Sequence, residues 1–122
     1  MKALLLVAHG SRKASSNDAV EQLTAKLRDK LLASEFSEIE HAFLELATPS
    51  IPEGIARLVK KGVSQLVVMP YFLAPGTHVV DDVPAFIQAA RQEYPEVVFT
   101  IVPHLGGVEG MADLILESAD VH

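Results

Sequence analysis

The chain has 122 residues, 49% of them hydrophobic and 21% charged, and a formal net charge of −6. This composition supports one packed core and excludes an intrinsically disordered chain. Because the sequence contains no cysteine, a disulfide framework, a thiolate metal site and a cysteine nucleophile are excluded. The net negative charge also argues against a nucleic-acid partner.

The first part of the chain predicts a strand, a helix and a second strand. Residues 2–8 form a continuous apolar run, typical of a strand that is buried on both faces. Helical spacing of apolar residues then extends to about Ala33, and Ser15 or Ser16 is suited to cap this helix. Residues 38–46 follow the alternation of a second strand.

Prolines and glycines divide the middle of the chain. Pro52 suits the first turn of a second helix, which Ser50 is placed to cap and which Gly62 ends. Residues 64–69 predict a third strand that a proline stops. Residues 71–78 predict a loop.

The remaining segments predict a third helix over residues 80–94, a fourth strand over 97–102 and a final helix over 108–119. The order βαβαβαβα predicts an α/β fold, because strands that alternate with helices form parallel sheets with right-handed crossovers. We expect a four-stranded parallel sheet with helices on both faces, in a single domain of residues 1–122.

The sequence carries no predicted membrane or export segment. No stretch approaches the roughly 20 apolar residues that a membrane helix requires. The first apolar run is shorter than the core of a signal peptide, and no small-residue cleavage site follows it. We therefore expect a cytoplasmic protein without a membrane partner.

Residues with useful chemistry follow the predicted strands. In open parallel sheets, ligands bind beyond the carboxyl ends of the strands. His9 follows the first strand, Glu45 lies near the end of the second, His78 is in the loop after the third, and His104 follows the fourth. We expect these residues to gather at one edge of the sheet, with the role of His104 left open.

These side chains suit a metal site that keeps a vacant position. Two neutral imidazoles, His9 and His78, favour Fe²⁺, Co²⁺, Ni²⁺ or Zn²⁺, and Glu45 would complete an open site. A histidine that only caps the sheet is an equal alternative for His9. Ser11 and Arg12 lie near a helix start, where they either bind an anion or form a solvated turn.

A second arrangement is a hydrolase triad of Ser11, His9 and Asp82. The motif G-x-S-x-G is missing, and Ser11 is too near His9 in sequence to face it well. We expect Phe72 in the core and His41 at the surface or half-buried.

Three segments in series resemble one protein family, the short CbiX-type sirohydrochlorin chelatases, which are related to the larger class II chelatases. The matching segments are LLLVAHGSR at 4–12, AFLELATPSIPEGI at 42–55 and VVMPYFLAPGTHVVDDVP at 67–84. HGSR alone is a weak signal, whereas the three together are fairly specific.

The resemblance implies a chelatase-like fold, which is half of a flavodoxin-like arrangement. It implies a lyase that inserts Co²⁺, Fe²⁺ or Ni²⁺ into sirohydrochlorin, for siroheme or cobalamin synthesis. The implied catalytic residues are His9, Glu45 and His78, of which His9 and His78 are the metal pair. The implied substrate-binding residues are Ser11, Arg12, Gly76 and Thr77.

The resemblance also implies which partners the chain has. The metal is a substrate, no cofactor is held tightly, and two copies build the cleft as a homodimer. The chain has no histidine-rich tail and no cysteine motif for an iron–sulfur cluster, so metal storage and redox roles lack support. The rival function is a non-catalytic module that binds a divalent metal or a tetrapyrrole.

Overall fold

The structure is a computed structural model that describes residues 1–121 apart from the side chain of His78. Its strands form one four-stranded parallel sheet, as the sequence predicts, and the strand order in the sheet is β2-β1-β3-β4. The strands are β1 (Lys2–Ala8), β2 (Glu38–Phe43), β3 (Gln65–Pro70) and β4 (Val98–Ile101). The helices are α1 (Ala14–Arg28), α2 (Ile51–Lys60), α3 (Thr77–Glu93) and α4 (Gly110–Ala119).

Helices cover both faces of the sheet, which explains the apolar run of the central strand. On one face, Leu5 and Val7 of β1 pack in a core cluster with residues of α2 and α3. On the other face, Leu6 and Ala8 pack with Val20 of α1. Side chains of a strand alternate between faces, so β1 has to be apolar at nearly every position.

Helix α2 is capped by Ser50, as predicted, and the structure adds that this cap is a capping box. The Ser50 hydroxyl accepts the Glu53 backbone N–H, and the Glu53 carboxylate accepts the Ser50 backbone N–H. Hydrogen bonding of the Glu53 carboxylate to Ser50, above all to the Ser50 backbone N–H, lowers the pKa of Glu53, because it stabilises the charged form. Gly62 follows the helix with a φ of +94°, which only glycine adopts without strain.

Helix α1 differs from the prediction at both ends. Its N-cap is Lys13, without a side-chain cap, and Ser15 and Ser16 lie within the first turn, so the predicted serine cap is wrong. The α-helix ends at Arg28, and a separate 3-10 helix (Leu31–Ala33) follows it. Apolar spacing continues through both segments, which is why the sequence pattern does not separate them.

Strand β2 and helix α3 also have different bounds from those predicted. The strand ends at Phe43 rather than at residue 46, since Leu46 has a φ of +65° that turns the chain. Helix α3 begins at Thr77, three residues earlier than predicted. Thr77 and the backbone of His78 therefore belong to a helix instead of a loop.

Both edges of the sheet are occupied by arginine side chains. Arg28 of α1 donates to the Ile39 carbonyl of β2 at 3.2 Å, and Arg91 of α3 donates to the Phe99 carbonyl of β4 at 3.1 Å. On β2, the Glu40 carboxylate also accepts the His41 N–H at 3.1 Å. Backbone groups that a further strand would use are thus partly engaged.

His41 is half-buried, one of the two predicted environments, with 12% of its side chain exposed. Its Nδ1 is buried without a hydrogen-bond partner and lies 3.5 Å from Glu40 Oε1. Burial lowers the pKa of His41, although the carboxylates of Glu40 and Glu21 oppose that shift. The ring packs edge-on against Phe43, so His41 belongs to the packing of β2.

Helix α4 covers little of the sheet. It has no buried residue, and Leu114, Ile115 and Leu116 are more than half exposed. Val98 and Thr100 of β4 are also exposed, and by strand alternation they lie on the face opposite Phe99 and the α2–α3 core. Among the described helices none is long and apolar enough to cross a membrane.

Candidate metal and substrate site

Backbone pairing beyond the ends of β1 and β2 brings His9 and Glu45 together. Leu44 N–H donates to the Ala8 carbonyl at 2.9 Å, and Glu45 N–H donates to the His9 carbonyl at 3.1 Å. The side chains then meet, with His9 Nε2 3.0 Å from Glu45 Oε1. Each side chain is slightly more than half exposed, so the pair is open to solvent and to a ligand.

Gly10 makes this close approach possible. Its φ is +93°, and a Cβ built on it would lie 1.8 Å from the Glu45 carbonyl oxygen. Any other residue would strain the backbone and push the two segments apart. The glycine of the HGSR segment therefore positions the histidine that precedes it.

Asn17 of α1 holds the rest of this loop, a role that the sequence analysis missed. Its Oδ1 accepts the Ser11 N–H at 3.0 Å, and its Nδ2 donates to the Ser11 carbonyl at 2.7 Å. The Ser11 hydroxyl accepts the Lys13 N–H at 3.0 Å and, among described residues, makes no hydrogen bond with His9. A short amide side chain in the first helical turn after HGSR is the only sequence signal for this clamp.

Three adjoining hollows lie along this edge of the sheet, and Phe72 lines all of them. The first, of about 420 Å³, has His9 on one side and the segment around Pro75 and Gly76 on the other. The second, of about 260 Å³, lies between His9 and α1. The third, of about 140 Å³, is bordered by His104. Phe72 is half-buried and also packs on the core, so the expectation of a core residue holds only in part.

The predicted site residues are distributed unevenly around these hollows. Ser11 lines the hollow beside α1, and Gly76 lines the hollow beside His9. Thr77 is exposed as the first residue of α3, and Arg12 is exposed without lining any of the three hollows. The side chain of His78 lies outside the described residues. Gly76, two residues before it, and Val79, directly after it, line the hollow beside His9.

The described side chains form only part of a metal site. Within the described part of the chain, no three His, Asp or Glu side chains come close enough to hold an ion. The 3.0 Å between His9 Nε2 and Glu45 Oε1 nevertheless suits two ligands of one ion. Ligand atoms about 2.1 Å from a shared ion, at about a right angle, lie about 3.0 Å apart.

The comparisons with known proteins agree on one family. The CbiX family model matches residues 3–121. A sirohydrochlorin ferrochelatase of Arabidopsis thaliana, described as chloroplastic, is 31% identical over 112 residues, which is 92% of this chain and 48% of that protein. The match covers 48%, 59% and 36% of the length of three curated relatives, each less than two thirds.

Solved structures give the same result at the level of the fold. A cobalamin biosynthesis CbiX protein from Marinobacter aquaeolei superposes with a TM-score of 0.82 and 29% identity, over 97% of this chain and 91% of that one. The sirohydrochlorin chelatase SirB from Bacillus subtilis, in complex with cobalt, gives 0.75 and 28%, over 95% of this chain and 48% of that one. Because the CbiX family model covers nearly the whole sequence and these folds superpose closely, the chain belongs to the CbiX family.

Proposed function

We propose that this chain inserts a divalent metal ion into sirohydrochlorin, with Co²⁺ or Fe²⁺, or else Ni²⁺, as the metal substrate and no tightly held cofactor. The observation that carries the proposal is the exposed His9–Glu45 pair beside apolar hollows large enough to pack against a flat ring. The relatives named as sirohydrochlorin chelatases, one with iron and one with cobalt in its description, support the same activity. Siroheme or cobalamin synthesis would use the product.

The first part of the proposed mechanism is delivery of the metal ion. In the free protein, His9 and Glu45 share a hydrogen bond. An arriving ion takes the two side chains as ligands, and the proton of their hydrogen bond passes to water, to which both side chains are exposed. His78 is the proposed third ligand, because Gly76, two residues before it, and Val79, directly after it, border the same hollow as His9. Two or three protein ligands leave positions open, so the ion can pass to the macrocycle.

The second part is removal of the two pyrrole protons. The metal cannot settle into the macrocycle until both N–H groups have lost a proton. Once the ion has left the protein, the imidazole of His9 and the carboxylate of Glu45 are free to accept protons at that place. Their half-exposed position allows these protons to reach water afterwards.

The third part is binding of the macrocycle. An apolar wall beside His9 is formed by Phe72, Leu73, Ala74, Pro75, Gly76 and Val79. Ser11, with its backbone held by Asn17, and Gly76 and Thr77 at the start of α3 are the proposed polar contacts. Arg12 is exposed and is proposed to reach the carboxylates at the rim, where it supplies a local positive charge in a chain of net charge −6.

We further propose that a single domain of residues 1–122 acts as a homodimer through the surface of α4, which we call the α4 face. This face contains Leu114, Ile115 and Leu116. Val98 is also exposed, at the β4 end of the sheet face on which α1 packs. Several relatives are about twice as long as the matched segment, whereas the Marinobacter protein is similar in length. A second copy would take the place of the additional half.

The charge of α4 favours a protein partner over a lipid surface. The helix carries Asp113 and Glu117 and has no lysine or arginine, so anionic headgroups would be repelled. Sedimentation should give twice the mass of one chain for the wild type, and Leu116→Glu should give the mass of one chain. Leu32→Glu is the matched control, because Leu32 is fully exposed on the 3-10 helix. A wild type that sediments as a single chain refutes the dimer.

The test of the activity is the absorption change when the protein is mixed with sirohydrochlorin and Co²⁺, Fe²⁺ or Ni²⁺. His9→Ala should lower the rate at least about 100-fold, because it removes both a ligand and a proton acceptor. His41→Gln is the matched control, since His41 lines none of the hollows. A rate no faster than the protein-free reaction would reject the enzyme. Binding without turnover would establish the alternative, a metal-binding or tetrapyrrole-binding module.

A cytoplasmic location is proposed along with this function. The absence of cysteine is compatible with a reducing compartment. Fractionation of the source cells, followed by immunodetection, should find the protein with the cytoplasmic markers, and recovery with another compartment would contradict the proposal.

A further inference from the structure

His104 has a defined position at the carboxyl edge of the sheet. It follows β4 and borders the hollow of about 140 Å³, whose other lining residues are all apolar. Phe72, Pro75 and Val79 line both this hollow and the one beside His9. The two hollows therefore adjoin along one shared wall, with His9 at one hollow and His104 at the other.

Two glycines hold His104 in place. Gly106 N–H donates to the Phe72 carbonyl at 2.9 Å, and a Cβ on Gly106 would lie 1.8 Å from the Leu73 carbonyl oxygen. The loop after β4 is thus seated directly on the wall of the hollows. A Cβ on Gly107 would lie 3.1 Å from Cε1 of His104, so the imidazole packs closely against the Gly107 backbone.

The imidazole of His104 lacks the neighbours of a metal ligand. His9 has the Glu45 carboxylate at 3.0 Å, whereas the ring of His104 has no carboxylate and no hydrogen-bond partner among the described residues. No lysine or arginine lines any of the three hollows. Of the described side chains there, His9 and His104 alone can carry a positive charge.

We propose that His104 binds a peripheral carboxylate of the tetrapyrrole while the apolar wall of this hollow packs against the adjacent part of the ring. The inference rests on the proposed function and adds a specificity-determining residue to it. A pocket that is mostly apolar, with one placed polar group, orients a ligand through that group. An imidazole N–H is a good donor to a carboxylate, and protonation strengthens the bond.

The test is a charge series at position 104. Metal-free sirohydrochlorin is titrated against His104→Lys, His104→Ala and His104→Asp, and kcat and KM are measured with Co²⁺. We expect Kd and KM to rise about tenfold for His104→Ala and further for His104→Asp. For His104→Lys both should stay within about threefold of wild type. In all three variants kcat should change less than about twofold. Dependence on charge distinguishes a carboxylate contact from packing, which would follow side-chain size instead.

Gly107→Ala provides a second test that leaves His104 in place. Its Cβ would displace the imidazole, so KM should rise in the wild-type background and stay unchanged in the His104→Ala background. His41→Gln is the matched control, with unfolding measured for every variant.

Equal binding by all variants, or a fall in kcat at constant KM, would overturn the role of His104 and leave the proposed function standing. A wild type that neither binds sirohydrochlorin nor inserts metal would overturn both.

Discussion

Replacing Gly10 with alanine should disrupt the His9–Glu45 pair without altering either side chain. An alanine at a φ of +93° costs about 1–2 kcal/mol in backbone strain. Its Cβ, 1.8 Å from the Glu45 carbonyl oxygen, has to push the segments apart, which breaks the hydrogen bond from Glu45 N–H to the His9 carbonyl. That loss adds about 1 kcal/mol. We therefore expect the free energy of unfolding to fall by about 2–3 kcal/mol.

The assays are urea unfolding for the free energy, thermal unfolding for the melting temperature, and the initial rate of metal insertion. At about 4 °C per kcal/mol, the melting temperature should fall by about 8–12 °C, and the insertion rate should fall at least tenfold as the pair separates. Gly62→Ala is the matched control, because φ there is +94° and a Cβ meets nothing within 4 Å; it should lose only the backbone term of about 1–2 kcal/mol and keep the wild-type insertion rate. A Gly10→Ala protein with wild-type stability and rate would refute this reasoning.

Three further outcomes follow from the structure. Asn17→Ala should raise KM several-fold, because Ser11 loses both hydrogen bonds that hold its backbone, and an unchanged KM would contradict that role. Ser50→Ala should lower the free energy of unfolding by about 1 kcal/mol through loss of the capping box, and a urea midpoint equal to wild type would argue against it. Because burial lowers the pKa of His41 in the folded chain, the unfolded chain binds more protons as the pH falls below about 6.5, so stability is lost on acidification. The urea midpoint should fall more between about pH 7.5 and 5.5 for wild type than for His41→Gln, and equal falls would contradict the assignment.

The order of elements could be predicted because buried strands and amphipathic helices have different periodicities. Every strand and helix predicted from the pattern is present in the structure. The bounds that differ are those that backbone dihedrals decide. Leu46 ends the extended segment with a positive φ, although leucine gives no signal for a turn. Helix α3 begins after Gly76, without any side-chain cap, so nothing in the sequence marks its start.

The site could be predicted only as far as topology determines it. Parallel strands bring their carboxyl ends to one edge, and that rule alone places His9 near Glu45. Contacts made by loops decide the rest of the site. Asn17 binds the Ser11 backbone, and Gly106 and Gly107 position the loop that carries His104. Such contacts have no periodic signal in the sequence. The sequence analysis therefore named residues on the strand ends and missed those that hold the loops.

The arginines at the two outer strands have a consequence for how copies of the chain associate. Arg28 and Arg91 engage the Ile39 and Phe99 carbonyls. A strand of a neighbouring chain would therefore find fewer free hydrogen-bonding groups at either edge, so edge-to-edge growth into a continuous sheet is disfavoured. Loss of either guanidinium would expose a template for fibrous aggregation. Assembly is thereby directed towards helical surfaces, and each copy keeps a complete four-stranded sheet with its own row of hollows.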